Sequence, residues 1–296
     1  TALKALLILQ SQYDIVDFPS YTRLEEIQLD MDCLEAISFG AAQSQSPEQI
    51  QLVWEILEQC QFRPTEAIYE NTIVAFASTG SHFETAFRAI IAMEEDGFEV
   101  SRSLLRSLSM ALRANKFALY KGMKVLRNDS SLQNVNTLNT LLSCYAERGE
   151  TNECLEILDM MQILELSPDC NTYSFAIEAL GKDIHRWNKN DNPDLIQQNL
   201  NHADRILRMM ETEGVLPSRD LIRNYVELLC IAGETDTANL VIDDMLSTSP
   251  GSVSSKALYR LAVANAEKGN FDRAKELASK ISDHIPTLLK RIRSIE

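Results

Sequence analysis

The stretch from Val135 to Asp169 constrains the fold more than any other part of the chain. It reads as two short helices and a closing turn, and it runs straight into a second copy of itself. Leu138, Leu141, Leu142 and Tyr145 fall at i, i+3, i+4 and i+7, which is one apolar stripe of a helix, and Arg148-Gly149 supplies a residue that tolerates a left-handed stop. Cys154, Leu155, Leu158 and Met161 make the inward stripe of a second helix. Ser167-Pro168 ends the unit, since proline fixes its own φ and pushes the residue before it out of the helical region. The unit is a helical hairpin.

The same pattern recurs at nearly constant spacing. Displaced by 69 residues toward the N-terminus, the apolar quartet lands on Tyr69, Thr72, Ile73 and Phe76, with Gly80 matching Gly149; displaced by 34 it lands on Leu104, Ser107, Leu108 and Ala111. In the other direction, steps of 35, 84 and 120 reach Tyr173/Ala176/Ile177/Leu180, Ile222/Tyr225/Val226/Leu229 and Leu258/Leu261/Ala262/Asn265. The second helices agree independently, because a small residue followed seven later by Met recurs as Ala86/Met93, Cys154/Met161, Ala203/Met210 and Ala238/Met245. Seven units follow, starting near 31, 66, 101, 135, 170, 219 and 255 and filling residues 31–289. The fifth spans 49 residues and carries an insertion of about fourteen at about 182–199, including His185, Trp187 and Pro193. A loop of that length inside a tight hairpin is usually functional or disordered. Residues 1–30 read as an atypical helical cap, because a stack of hairpins must cover its terminal apolar face, and residues 290–296 as a basic tail.

Charge is segregated along the chain. The net charge is −15 over 296 residues, the wrong sign for a protein that grips polyphosphate over its whole surface. Residues 1–100 hold Lys4, Arg23, Arg63 and Arg88 against seventeen acidic side chains, a balance of −13, whereas residues 101–130 hold seven basic side chains against Asp129 alone, a balance of +6. These are either solvated helix faces or two docking surfaces of opposite sign. The six cysteines form no CxxC pair and read as buried free thiols in a reducing compartment. No apolar run approaches the roughly 18 residues of a membrane span, so no membrane insertion is expected. The chain begins at Thr1 without Met, signal peptide or basic presequence, and is expected to be a processed or partial chain.

Units of about 35 residues fit tetratricopeptide or pentatricopeptide repeats. Thr137 to Leu142, the Ala-Glu-Arg-Gly turn, Cys154 to Met161 and Ser167-Pro168-Asp169 closely resemble the pentatricopeptide consensus, and so does Asn171 to Phe175. The resemblance implies an all-α, right-handed α-α superhelical solenoid of about seven two-helix pentatricopeptide-like repeats, in mitochondria or plastids, binding single-stranded RNA with one base per repeat. In that family the second residue of a unit sandwiches the base while the fifth and last residues read its edge. Carried onto this chain, the fourth unit offers Asn139 and Asp169, a pair the family code associates with uracil; Ser174 with Ser218 is the candidate pair of the fifth. Ser174/Ser218 and the remaining pairs, Glu35/Thr65, Glu70/Val100, Leu105/Asn134 and Arg223/Ser254, match the code poorly, and Tyr259 has no clear partner. The second positions are Asp32, Ala67, Arg102, Asn136, Asn171, Asp220 and Lys256, of which one is apolar. A stacked base is worth about 1 to 3 kcal/mol, and even a millimolar complex needs about 4 kcal/mol, so one competent unit does not hold a strand.

Enzyme chemistry finds little support. There is no Gly-rich phosphate loop, no HExxH and no GxSxG elbow, the four histidines are scattered, and His82-Phe83-Glu84 has no CxxC to accompany it. No cofactor or metal is expected. The leading expectation is a non-catalytic scaffold subunit of a large organellar gene-expression assembly, a mitochondrial ribosome or a plastid transcription complex. Its partners would be other protein subunits, with at most limited contact to single-stranded or ribosomal RNA. Glu35, Glu70, His185 and Trp187 are the candidates for protein docking, and Arg102, Arg106, Arg113, Lys116 and Lys121 for contact with phosphate or an acidic partner. The alternative is a sequence-preferring single-stranded RNA-binding factor for organellar transcript processing or translation, centred on the fourth unit.

Overall fold

The computed structural model describes residues 30–80, 82–112, 115–186, 192–248, 251, 253–281 and 285–295. Over these residues the regular structure is helical, with no strand. Two compact units meet at Cys144/Tyr145. The first contains α1 (Met31–Gln43), α2 (Pro47–Cys60), α3 (Glu66–Ser78), α4 (Phe83–Glu95), α5 (Arg102–Leu112), α6 (Lys116–Asn128) and a 3-10 turn, Ser130–Leu132. Helix α7 (Val135–Arg148) starts in the first unit and ends in the second, which continues with α8 (Thr151–Ile163), α9 (Cys170–Arg186), α10 (Pro193–Thr212), α11 (Arg219–Ala232), α12 (Thr235–Thr248), α13 (Ser255–Glu267), α14 (Phe271–Ser279) and α15 (Ile285–Ile295).

The helices come as consecutive hairpins. In the first unit α1 packs on α3 and α3 on α5, while α4 lies against α6; in the second unit α9 packs on α11 and α11 on α13. The apolar stripes make this necessary, because each helix has one face to bury. Leu34, Ile37, Val53, Ile56, Leu57 and Ile68 close one core in the first unit, and Tyr173, Ile177, Leu180, Ala203, Ile206 and Leu228 another in the second. Leu288 and Ile292 bury one side of α15 on α13 and α14, so the basic end of the chain is the outer side of a packed helix.

Two turn glycines are required by geometry. Gly149 sits at φ +65°, and a Cβ there would stand 2.9 Å from the Asp183 backbone nitrogen and the Lys182 carbonyl carbon. Gly80 sits at φ +67°, with the Ala118 Cβ 2.6 Å from where its own would be, so the absent side chain lets α6 approach the α3–α4 turn.

The structure shifts two sequence expectations. In the third hairpin Ser107 and Ala111 are exposed and the buried stripe is Leu105, Leu108, Ser109 and Leu112, with Leu104 beside it. The quartet is therefore displaced by one residue from Leu104, Ser107, Leu108 and Ala111. The inserted residues of the fifth hairpin are largely helical rather than a loop, since α9 runs to Arg186 and α10 starts at Pro193. Pro193 occupies the first helical position, where its missing N–H costs nothing, and Asn192 caps the helix by accepting from the Leu195 N–H. Inside this longer hairpin Asn199 donates to the Leu180 carbonyl and to Asp183, which also accepts from the Thr151 hydroxyl. Residues 1–29 of the expected cap, together with Arg113 and Trp187, lie outside the described residues.

Candidate functional site

The register of the candidate base-reading positions follows from helix capping. Asp30, Ser101, Asn134, Asp169, Ser218 and Ser254 each precede a first helix, and each side-chain oxygen accepts the backbone N–H three residues on, at 2.8 to 3.1 Å apart from Asp169 at 2.7 Å. The last residue of a unit is thus the N-cap of the next. Asp169 is the most committed, because its Oδ1 also accepts the Thr172 hydroxyl at 2.8 Å. The cap that ends the second unit is Ser101 rather than Val100, which moves the second and fifth positions of the third unit from Arg102 and Leu105 to Ser103 and Arg106.

In the first two hairpins the fifth and last residues bond each other. The Thr65 hydroxyl donates to Glu35 Oε1 at 2.6 Å, and the Ser101 hydroxyl donates to Glu70 Oε1 at 2.6 Å. Both glutamates are half-buried. Charge-assisted O–H···O⁻ bonds of this length are among the strong ones, and they hold these carboxylates within the protein. Of the other fifth positions, Asn139 and Ser174 are buried, Arg223 and Tyr259 are half-buried, and Arg106 is exposed. Asn139 is 1 % exposed and Ser174 fully buried, with the Ser174 hydroxyl and carbonyl accepting from Asn224 Nδ2 at 3.3 and 3.1 Å. Arg223 pairs with Asp220 at 2.7 Å. At the second position of the fourth unit Asn136 donates to Glu94, whose other carboxylate oxygen takes Asn134 Nδ2 at 2.8 Å. Asn139 lies in the first compact unit and Asp169 in the second.

The electrostatics are those of a packed framework. Tyr69 donates to Asp96 at 2.7 Å and Tyr173 to Glu213 at 2.8 Å, tying a first helix to the residue that closes its second helix. Burial pushes both phenols above their ordinary range, and the carboxylate partner adds to it. Burial likewise pushes the Cys154 thiol well up, away from the thiolate needed for nucleophilic or redox work. Among the described residues no group of three His, Cys, Asp or Glu is placed to hold a metal ion, and no helix is long and apolar enough to cross a membrane.

Of the basic candidates, Arg106, Lys116 and Lys121 are exposed and Arg102 is half-buried; His185 is exposed in the last turn of α9. Sequence reasoning missed Phe117 and Tyr120, which stand on the exposed side of α6 at 67 % and 60 % exposure. A stripe search assigns aromatic residues to the interior. The signal that could have found them is that the buried stripe of α6, Leu119, Met123 and Leu126, already accounts for its inner face.

A family model for the pentatricopeptide (PPR) repeat family matches residues 133–182, and one for pentatricopeptide repeat-containing proteins matches residues 33–139. The structure resembles the pentatricopeptide repeat protein PPR10 from maize, with a TM-score of 0.54 and 17 % identity over 93 % of this chain and 38 % of that one. It also resembles PPR10 in complex with an 18-nt psaJ RNA element, with a TM-score of 0.52 and 16 % identity over 92 % of this chain and 38 % of that one. At this identity the likeness shows the fold, an all-α helical-repeat solenoid, and the chain spans well under half the length of the proteins it resembles. No curated protein matches the chain by sequence. The two family models together span residues 33–182, and on them the chain belongs to the pentatricopeptide repeat family.

Proposed function

We propose that the chain is a non-catalytic helical-repeat platform in an organellar gene-expression assembly, docking protein subunits and making at most limited contact with RNA. The observation that carries this reading is the closure of the fifth and last positions on each other, Thr65 to Glu35 and Ser101 to Glu70. A base edge read by these groups would have to break an internal charge-assisted bond and approach a carboxylate with its own phosphate chain, and both steps are unfavourable. The buried Ser174 and the capping duty of Asp169 point the same way.

A second reading, a sequence-preferring RNA-binding factor for organellar transcript processing or translation, is favoured by one feature. The fourth hairpin keeps the Asn139 and Asp169 combination, and a structural relative is solved with a bound RNA element. Filter binding of a uracil-containing single strand to the full chain separates the two. The platform reading expects binding weaker than about 1 μM that fades with added salt and is indifferent to Asn139→Ala and Asp169→Ala. Submicromolar binding abolished by those substitutions would establish the reader instead.

A further inference from the structure

The exposed side of α6 has a composition unlike a merely solvated helix. Phe117, Tyr120, Lys121 and Lys124 lie at i, i+3, i+4 and i+7, on one face, and all four are exposed, with exposed Lys116 and Arg127 alongside and no acidic residue within the helix. Lys121 Nζ stands 4.8 Å from the centre of the Phe117 ring, so a cation and an aromatic surface are already brought together. Large aromatic rings are costly to leave in water, and pairing them with cations is how an interface anchors apolar side chains and selects for negative charge at once.

The surroundings limit what can sit there. Helix α4 packs beside α6 and presents exposed Glu84 and Glu95, with Asp96 just beyond its end. Arg88 of α4 is occupied by Glu84 at 3.1 Å and by Asp129, at the end of α6, at 3.5 Å. An extended polyanion following the surface from α6 to α4 would meet carboxylates after one helix width, and a chain of net charge −15 repels such a ligand generally. A short acidic segment confined to α6 meets the rings of Phe117 and Tyr120 and the helix's own lysines, and the carboxylate that closes this helix, Asp129, is paired with Arg88.

We infer that the outer face of α6 is a docking site for an acidic, apolar-interleaved segment of a partner protein, with Phe117 and Tyr120 as anchors and Lys116, Lys121 and Lys124 as the charge filter. The inference rests on the platform reading and names the chemistry of one of its partners. The test measures anisotropy of a labelled peptide of about 13 residues, the length of α6, alternating Glu/Asp with Leu/Phe, against the full chain. The expected result is a dissociation constant on the order of 10 μM, weakened about tenfold or more by F117A/Y120A and independently by K121E/K124E. Both variants are on the surface, and circular dichroism checks that they keep the helical fold. No binding, or binding indifferent to both variants, overturns the proposal. So does a uracil oligonucleotide or an anionic phospholipid vesicle that binds more tightly than the peptide through the same residues. Failure of the platform reading is distinct, since it appears as strand binding lost in N139A and D169A but retained in F117A/Y120A.

Discussion

Helices α4 and α6 are neighbours of equal length, 13 residues each, and they share an interior and differ in exterior. At a spacing of 33 residues Ala86, Ala89, Ile90 and Met93 correspond to Leu119, Gly122, Met123 and Leu126, all buried. At the same spacing Glu84 becomes Phe117, Ile91 becomes Lys124 and Glu94 becomes Arg127. The inward positions are held by packing against neighbouring helices, where volume and polarity are tightly constrained. The less buried ones diverge, even where one of them, Glu94, is held by Asn134 and Asn136, so within this array the fold is repeated while the surface chemistry is specific to a hairpin.

The shared interior predicts the largest effects. Met93→Ala and Leu126→Ala each remove a side chain with no exposed surface, and urea unfolding is expected to show losses of about 2–5 kcal/mol for both. A much smaller loss for Leu126→Ala would mean that α6 is less firmly seated than α4. Next comes Gly122, where a Cβ would lie 3.0 Å from Leu141 Cδ2 and 3.1 Å from the Phe83 ring. Gly122→Val is expected to destabilise by about 1–3 kcal/mol through overpacking, whereas Ala89→Gly in α4 costs about 1 kcal/mol through helix propensity alone.

The divergent exterior predicts a different kind of change. F117A/Y120A is expected to leave stability within about 0.5 kcal/mol while weakening acidic-peptide binding. A clear stability loss would show that these rings are structural. The smallest effect belongs to Arg88→Ala, which releases two exposed ion pairs and is expected to change stability by less than about 0.5 kcal/mol, fading with salt. Asp129 adds a pH signature. Donation from the Ser131 hydroxyl and backbone N–H holds its carboxyl below the ordinary range. A depressed folded value means that its stabilising contribution is present above the unfolded pKa and lost as pH falls through the folded one. Ser131→Ala is expected to weaken that acid dependence.

Most of the hairpin architecture was legible because its signals are local: a 3.6-residue apolar period, a turn glycine and a closing proline, all present together between Val135 and Asp169. The third hairpin slipped by one residue because Leu104 and Leu105 are both apolar and either can start a stripe. The arbiter is the cap at Ser101, whose hydroxyl accepts the Leu104 N–H and donates to Glu70 from the preceding hairpin. The insertion reads as a loop from its length alone, whereas residues on both sides of it extend the two helices, with Pro193 as a first helical residue. The candidate site was legible as a set of positions but not as a set of contacts. That Thr65 returns to Glu35 across 30 residues is a property of helix stacking, and the sequence does not display it.

The measurement that bears most directly on the platform reading is the affinity of the full chain for a uracil-containing single strand, with Glu35→Gln and Glu70→Gln tested beside Asn139→Ala and Asp169→Ala. If the fifth positions are closed for internal use, binding stays weaker than about 1 μM in the parent chain and in N139A and D169A, and the two Gln variants raise it only through reduced charge, an effect that disappears at higher salt. Submicromolar binding in the parent chain that is lost in N139A and D169A at every salt concentration would contradict the account.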